Sequence, residues 1–385
     1  MNEKTRLSPM DLEAFGADID ALLARTRADL GERDVRYIRR VIRVQRGLDV
    51  AGRALLFASV LPGAWPAWIA GTACLSVAKI IENMEVGHNV MHGQYDFAQD
   101  PALSSSTYEW DIVCPAAQWR HSHNYLHHAF TNVRGVDHDL GYRLLRIDDR
   151  QPWHWSALFQ PLYAIALAVV FEWGVAAHDV DMKRYIAHPM QRSPEDREKV
   201  RELGRKAGKQ MLKDYVLFPL LAGPYALAIL AGNMIANVTR NLWAFTVIFC
   251  GHFPDGTEIV EAESIEGETR GGFYLRQLRG SANFEGPWLL HFMSGHLSHQ
   301  IEHHLFPDIP AHRYPEMSRE VRAICAKHGV PYNTGSLGGQ FWSVVKRICR
   351  FALPSRRLTA PRQRAHMAKS LSLPKFEPFA EGDVV

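Results

Sequence analysis

The chain of 385 residues has few of the features that identify a protein quickly. Its five cysteines, Cys74, Cys114, Cys250, Cys325 and Cys349, are an odd number without paired spacing. That excludes a disulfide framework and a thiolate metal site and points to a reducing compartment. Net charge is only +3, which carries no nucleic-acid signal. There is no haem-attachment motif, no cysteine set for an iron–sulfur cluster and no glycine fingerprint for a dinucleotide. The opening "MNEKTRLSPM" is polar, so no signal peptide is read in it. No internal repeat appears, and the mean hydropathy of -0.18 suggests a soluble protein. An average of that kind hides a few membrane segments beneath a large polar cap.

Long apolar runs are few, but their placement is orderly. Residues 8–32 read as an amphipathic helix, with Ser8 as N-cap, Pro9 in the first turn and Leu12, Phe15, Ile19, Leu22 and Leu23 at helical spacing. An arginine run follows: Arg33, Arg36, Arg39, Arg40, Arg43, Arg46 and Arg53. It stands just before Ala54–Ala78, which is uncharged throughout, and so reads as a positive-inside flank. One span needs about 20 apolar residues. The run 54–78, broken by "LPGAWP", is expected to fold at Pro62-Gly63 into a hairpin. A second hairpin is expected from Tyr215–Ala231 and Met234–Cys250, turning at Gly232-Asn233. Segment 156–177 is read as an interfacial helix marked by Gln160 and Glu172, and the charged 178–213 as a cytosolic connection. The tail 354–375 is loose and basic (Arg356, Arg357, Arg362, Arg364, Lys369, Lys375).

Histidine is abundant, and it is clustered. Twelve of nineteen fall in two windows, 88–138 and 291–304, where uniform scatter places about three. "GHNVMH" sets His88 and His92 four apart; "HSHNYLHH" sets His123 and His127 four apart, with His128 adjacent; "QIEHH" joins Gln300 to His303 and His304. Positions four apart share a helix face, so two imidazoles grip one ion. An adjacent third points about 100° away, towards a second ion. All-imidazole sites suit zinc, copper, iron or nickel. A zinc peptidase needs Glu directly after the first His, where this chain has Asn89. With His252 in "FCGHFPDG" the count is eight. Eight ligands suit two metals, each with an open position, and an open redox metal in a membrane suggests O2 chemistry.

These motifs, in this order around apolar hairpins, resemble the membrane-bound fatty-acid desaturases over residues 40–315. "NMEVGHNVMHGQYDF", "HNYLHHAFTNVRGVDHDLGY" and "QIEHHLFP" resemble the bacterial acyl-CoA branch in particular. The resemblance implies a di-iron centre held by His88, His92, His123, His127, His128, His252, His303 and His304. Gln300 stands where many members have a ligand histidine, which implies a water-holding role for it; His299, four before His303, competes for that role. It further implies O2 as co-substrate, a long-chain acyl substrate on CoA or a lipid, and a cis double bond as product. Electrons are expected from a separate ferredoxin or flavoprotein reductase. The implied fold is all-α and multi-pass: two transmembrane hairpins (four spans) in the cytoplasmic membrane, in contact with lipid. A cytosolic helical cap carries the metals.

Orienting partners for the imidazoles are sought in Asn124, Asp137, Asp139, Glu302 and Asn132. His121, His138, His291 and His296 are placed outside the ligand set. Trp110, Trp119, Tyr108 and Trp288 are candidate tunnel lining. Asn237, Arg240 and Asn241 are expected to face a polar pocket near the substrate or to snorkel. The expected divisions are 1–46, basic and amphipathic helices; 47–315, membrane and catalytic domain; 316–353, a C-terminal helical part; and 354–385, the tail. Two other readings use the same boxes: a lipid hydroxylase or ketolase, and a zinc or copper membrane transporter or hydrolase.

Overall fold

The computed structural model describes residues 8–354; the basic tail expected beyond lies outside the described residues. The protein is built from helices, with two short parallel strand pairs, Val133–Arg134 with Val260–Glu261 and Asn283–Glu285 with Thr334–Ser336. The all-α reading stands.

The first helix runs Pro9–Ala28 and starts on a capping box, Ser8 Oγ accepting from the Asp11 backbone at 3.2 Å. Phe15, Ile19, Leu22 and Leu23 are buried against Tyr274, Leu278, Val321 and Cys325. The arginine run lies on the second helix, Glu32–Ala58, which continues without a break into the apolar stretch. The chain then reverses through Leu61–Ala64, with Gly63 at φ 76, as the Pro62-Gly63 signal predicts. The return leg is Trp65–Ile80, extended by a π-helical stretch Ile81–His88 and then Asn89–Met91.

The second hairpin turns elsewhere than expected. Its first leg begins far back, at Pro194–Met211, inside the segment read as a connection, and runs on to Leu221. The reversal is at Gly223-Pro224-Tyr225, and Ala226–His252 is one helix. Gly232 and Asn233 are interior to it for a packing reason. A Cβ on Gly232 would stand 2.9 Å from Leu56 and 3.1 Å from Thr72, and Asn233 Nδ2 donates to the Asp214 carbonyl at 2.6 Å. Gly there admits a neighbouring helix, not a bend.

Segment 156–177 is not one helix either. Gln160–Val169 and Phe171–Asp179 meet at 99°. The two polar residues taken as interface markers point inward. Gln160 bonds both main-chain groups of Arg146 and the Ile348 carbonyl, and Glu172 pairs with Arg240. Leu158, Leu162, Ile165 and Val169 are the exposed side chains.

Among the described residues no single helix is long and apolar enough to cross a membrane, and the bent pair passes only by length and composition. Trp65–Ile80 stops at 16 residues where the π-helical stretch begins, Arg240 and three asparagines lower the hydropathy of Ala226–His252, and charges interrupt the remaining legs. Those charges meet between helices: Lys79 Nζ lies 2.8 Å from Asp214, and Arg53 3.6 Å from the same carboxylate. The legs themselves pack at van der Waals limits. A Cβ on Gly71 would stand 2.8 Å from the Leu56 nitrogen and 2.9 Å from the Gly52 carbonyl. Gly71→Ala therefore forces two backbones apart. It is expected to destabilise the purified protein by about 1–3 kcal/mol, read as a lowered Tm; an unchanged Tm would refute this packing.

Candidate metal centre

Four separate segments deliver imidazoles to one place. His88 ends the π-helical stretch Ile81–His88 and His92 follows one turn on. His123 and His127 lie in a second π-helical stretch, Arg120–His127, and His128 follows it. Turns of this kind are rare and recur at functional sites. His252 is the last residue of Ala226–His252, and His303 and His304 belong to Gln300–Leu305.

The eight sort into two groups. His88, His92, His123 and His303 bring one ring nitrogen each within 4.8 Å of one another, as do His127, His252 and His304. His128 lies between them, its ring 4.7 Å from His303 and 4.4 Å from His304. The fit to metal rests on unpartnered atoms. Nε2 of His92, His123 and His127, Nδ1 of His252 and both ring nitrogens of His128 and His303 are buried without any hydrogen-bond partner. Buried polar atoms rarely stay unpaired. Burial, and then the neighbouring imidazoles, push His92, His128, His303 and His304 well below the ordinary histidine range. Burial brings His88 down to about 4. The rings are therefore neutral at pH 7, the form that binds metal.

The outer ring nitrogens are held. His127 Nδ1 donates to Asp137 at 3.0 Å, and Asp137 is itself fixed by the Asn132 and Asp139 backbone N–H groups. His123 Nδ1 donates to Asp139 at 3.2 Å. Burial opposes charge on His127, but the Asp137 and Asp139 carboxylates outweigh it and hold His127 above its ordinary value. Burial raises Asp139 to about 6. Trp119 stacks on the His123 ring at 4.4 Å.

Other candidates sit differently. Gln300 Nε2 is 3.0 Å from His252 Nε2, and its Oε1 is buried without a partner. His299 is not brought to the cluster. The helix begins only at Gln300, so His299 does not share the face of His303; its Nδ1 meets Ser298, and its ring lies 4.8 Å from His291. Glu302 touches no imidazole: it accepts from Asn283 at 2.7 Å and Tyr332 at 2.8 Å, and burial raises it to about 7. Asn283 in turn receives the Ile301 N–H, so this carboxylate fixes the helix that carries His303 and His304. Asn124 ties the second box to the first, donating to the Met91 carbonyl at 2.8 Å. His121, His138, His291 and His296 stand outside both groups.

Three holding residues escaped the sequence reading. Asn89 Oδ1 accepts from His88 Nδ1 at 3.1 Å. Thr131 Oγ1 and Gln277 Oε1 face His304 Nδ1 at 3.1 and 3.2 Å. Thr131 had a signal, being four residues after His127. Gln277 had none.

A cavity adjoins the imidazoles. Trp110, Trp119, Val175, Ala244 and Ile248 form its apolar wall. Trp288 is exposed, and Tyr108 binds Glu82 outside that wall. Arg240 is 2% exposed and lines the cavity, so it does not snorkel.

Comparison with known proteins agrees with this geometry. A family model described as fatty acid desaturase matches residues 16–336. The chain is 45% identical over 356 residues to the NADPH-dependent stearoyl-CoA 9-desaturase of Mycobacterium tuberculosis, covering 91% of this chain and 82% of that one. It is 27% identical to the sn-1 linoleoyl-lipid 6-desaturase of Synechocystis, covering 72% and 77%.

Asp137→Asn keeps the shape but removes the charge behind His127. Metal affinity is expected to fall about 10–100-fold, read as metal retained against a graded chelator series. His299→Ala in the same assay is expected to retain metal like the parent. Equal retention by the parent and Asp137→Asn would sink the orienting role.

Proposed function

The chain belongs to the fatty acid desaturase family, and we propose that it removes two hydrogens from adjacent carbons of a long-chain acyl-CoA, using O2 and two iron ions held by the eight histidines. The enzyme class follows from the family; the choice of CoA rests on the stearoyl-CoA 9-desaturase that covers nearly the whole chain. One observation carries the chemistry. Two groups of buried imidazoles, most of them with a ring nitrogen that has no hydrogen-bond partner, adjoin a largely apolar cavity.

An alkyl C–H bond has no useful acidity, so no carboxylate or imidazole here removes it as a base. Bound iron supplies the activation of O2 that such a bond requires. The chain's own residues do the rest. Trp119 and Trp110 flank the histidine end and present apolar surface to an acyl chain. Asp137 and Asp139 keep His127 and His123 turned inward. Burial of the whole set excludes bulk water.

For placement we propose four spans in the cytoplasmic membrane with the histidines on the cytosolic side. Trp65–His88 and Ala226–His252 rise about 35–40 Å, enough to cross a hydrocarbon core of about 30 Å and emerge at the histidines. Leu61, Trp65, Ile69, Leu220, Leu221 and Leu227 are exposed around the hairpin tips, as lipid contact requires. The arginines of Glu32–Ala58 sit at the opposite end. The bent pair, with its outward Leu158, Leu162 and Ile165, suits the interface rather than a crossing. A separate ferredoxin or flavoprotein reductase supplies the electrons; all five cysteines are free and none joins a metal-sized cluster among the described residues.

Expression in a host without this activity, followed by gas chromatography of its fatty acids, tests the reading. A new cis-unsaturated acid is expected with the parent chain. None is expected with His303→Ala, although that variant still fractionates with membranes. A hydroxylated product instead would move the protein to the oxygen-inserting reaction.

A further inference from the structure

The cavity that begins at the imidazoles is bounded at its far end by charge, not hydrocarbon. Arg240, Ala244, Ile248 and His252 line it from one helix. Four apart, they form a single stripe, and Arg240 stands about 18 Å along the helix axis from His252. Met84, Phe171 and Val175 line the cavity as well. At the Arg240 end the lining turns polar: Asn83, Glu172, Arg240 and Asn241. Arg240 Nη2 is 2.5 Å from Glu172, and its Nε donates to Asn241 at 3.0 Å. Asn241 donates to the Val169 carbonyl at 2.9 Å, and Glu172 accepts from the Val113 N–H at 3.3 Å. The pair is thus tied to three separate segments.

We propose that the Arg240–Glu172 pair is the floor of the acyl site and sets the longest tail that fits beyond the reacting carbons. This rests on the acyl-desaturase reading above. An apolar floor yields, because side chains rotate and repack around an extra methylene. An ion pair held out of water does not, because parting it leaves a buried charge alone. A methyl terminus gains nothing from either partner, so the pair acts as a stop. The stop also accounts for an arginine in a helix where its insertion is costly.

The experiment uses the purified, iron-loaded full chain with O2, a ferredoxin and ferredoxin reductase as electron donor, and a series of saturated acyl-CoAs differing by two carbons. Two readouts are taken: thermal stabilisation on binding, and the chain lengths of unsaturated products. The double variant Glu172→Ala/Arg240→Ala removes both charges together, so neither is stranded. Its upper limit of chain length is expected to rise by about two carbons or more. Ala244→Leu fills the cavity one turn above the floor and is expected to lower the limit by a similar step. The double-bond position, counted from the thioester, is expected to stay the same in both. An unchanged limit in both variants, or movement of both in one direction, overturns the floor. If the double variant does not fold, Ala244→Leu decides alone, and an unchanged limit in it counts against the proposal. If the parent oxidises none of the series, the acyl-CoA reading fails, while the binding limit still judges the floor.

Discussion

The buried imidazole nitrogens that crowd together, most of them without a hydrogen-bond partner, are the constraint on which the structure depends. Each costs free energy to bury unpaired, and the chain collects them from four segments spread over more than two hundred residues. Such an arrangement persists only if the surrounding fold fixes each ring. Asn89 holds His88, Asp139 holds His123, Asp137 holds His127, and Thr131 with Gln277 holds His304. The long helices serve that end. The return leg from Trp65 and the helix Ala226–His252 pack along each other, so their last turns deliver His88 and His252 to the same level.

Buried charge shapes the hairpins as much as apolar length does. Arg53, Lys79, Asp214, Asn237, Arg240 and Glu172 form an interior chain of ion pairs and hydrogen bonds between the legs. Each lowers the hydropathy of its helix, and together with the short regular length of Trp65–Ile80 this is why no single helix among the described residues reads as a simple span. Their meeting also explains how the charges are tolerated. In an apolar surround a paired and hydrogen-bonded ion is stable, and breaking one pair is costly. Packing against such a network demands close approach, and Gly52, Gly71 and Gly232 provide it where the legs cross.

What could be read in advance follows from the range of the interaction. The Ser8 capping box, the Pro62-Gly63 turn and the four-residue histidine spacing are local, and each is legible from adjacent residues. The ligand groups were legible in part: helical period puts His88 with His92, but His123 and His127, also four apart, fall in different groups with His128 between them. Errors came where a local signal had a distant partner. Gly232-Asn233 looks like a turn until Leu56, Thr72 and the Asp214 carbonyl are present. Gln160 and Glu172 look solvated until Ile348 and Arg240 claim them. His299 keeps the right spacing from His303, but the helix starts one residue too late to give it that face. Gln277 reaches His304 from another helix, a contact with no trace in spacing.

The same reasoning assigns the cap its part. Gln300–Leu305 is only six residues long, too short to be stable alone, yet it carries His303 and His304. Its position is fixed by buried polar contacts from beyond the hairpins. Glu302 is gripped by Asn283 and Tyr332, Asn283 also takes the Ile301 N–H, and the strand bearing Asn283 pairs with Thr334–Ser336. Ile301 and Leu305 on that helix pack into the core that Phe15 and Ile19 share with Tyr314 and Val321. The first helix and the C-terminal part, far from the histidines in sequence, are therefore what keep the third box at the level of the other two. Without these elements each histidine group loses its member from the third box, His303 in one and His304 in the other.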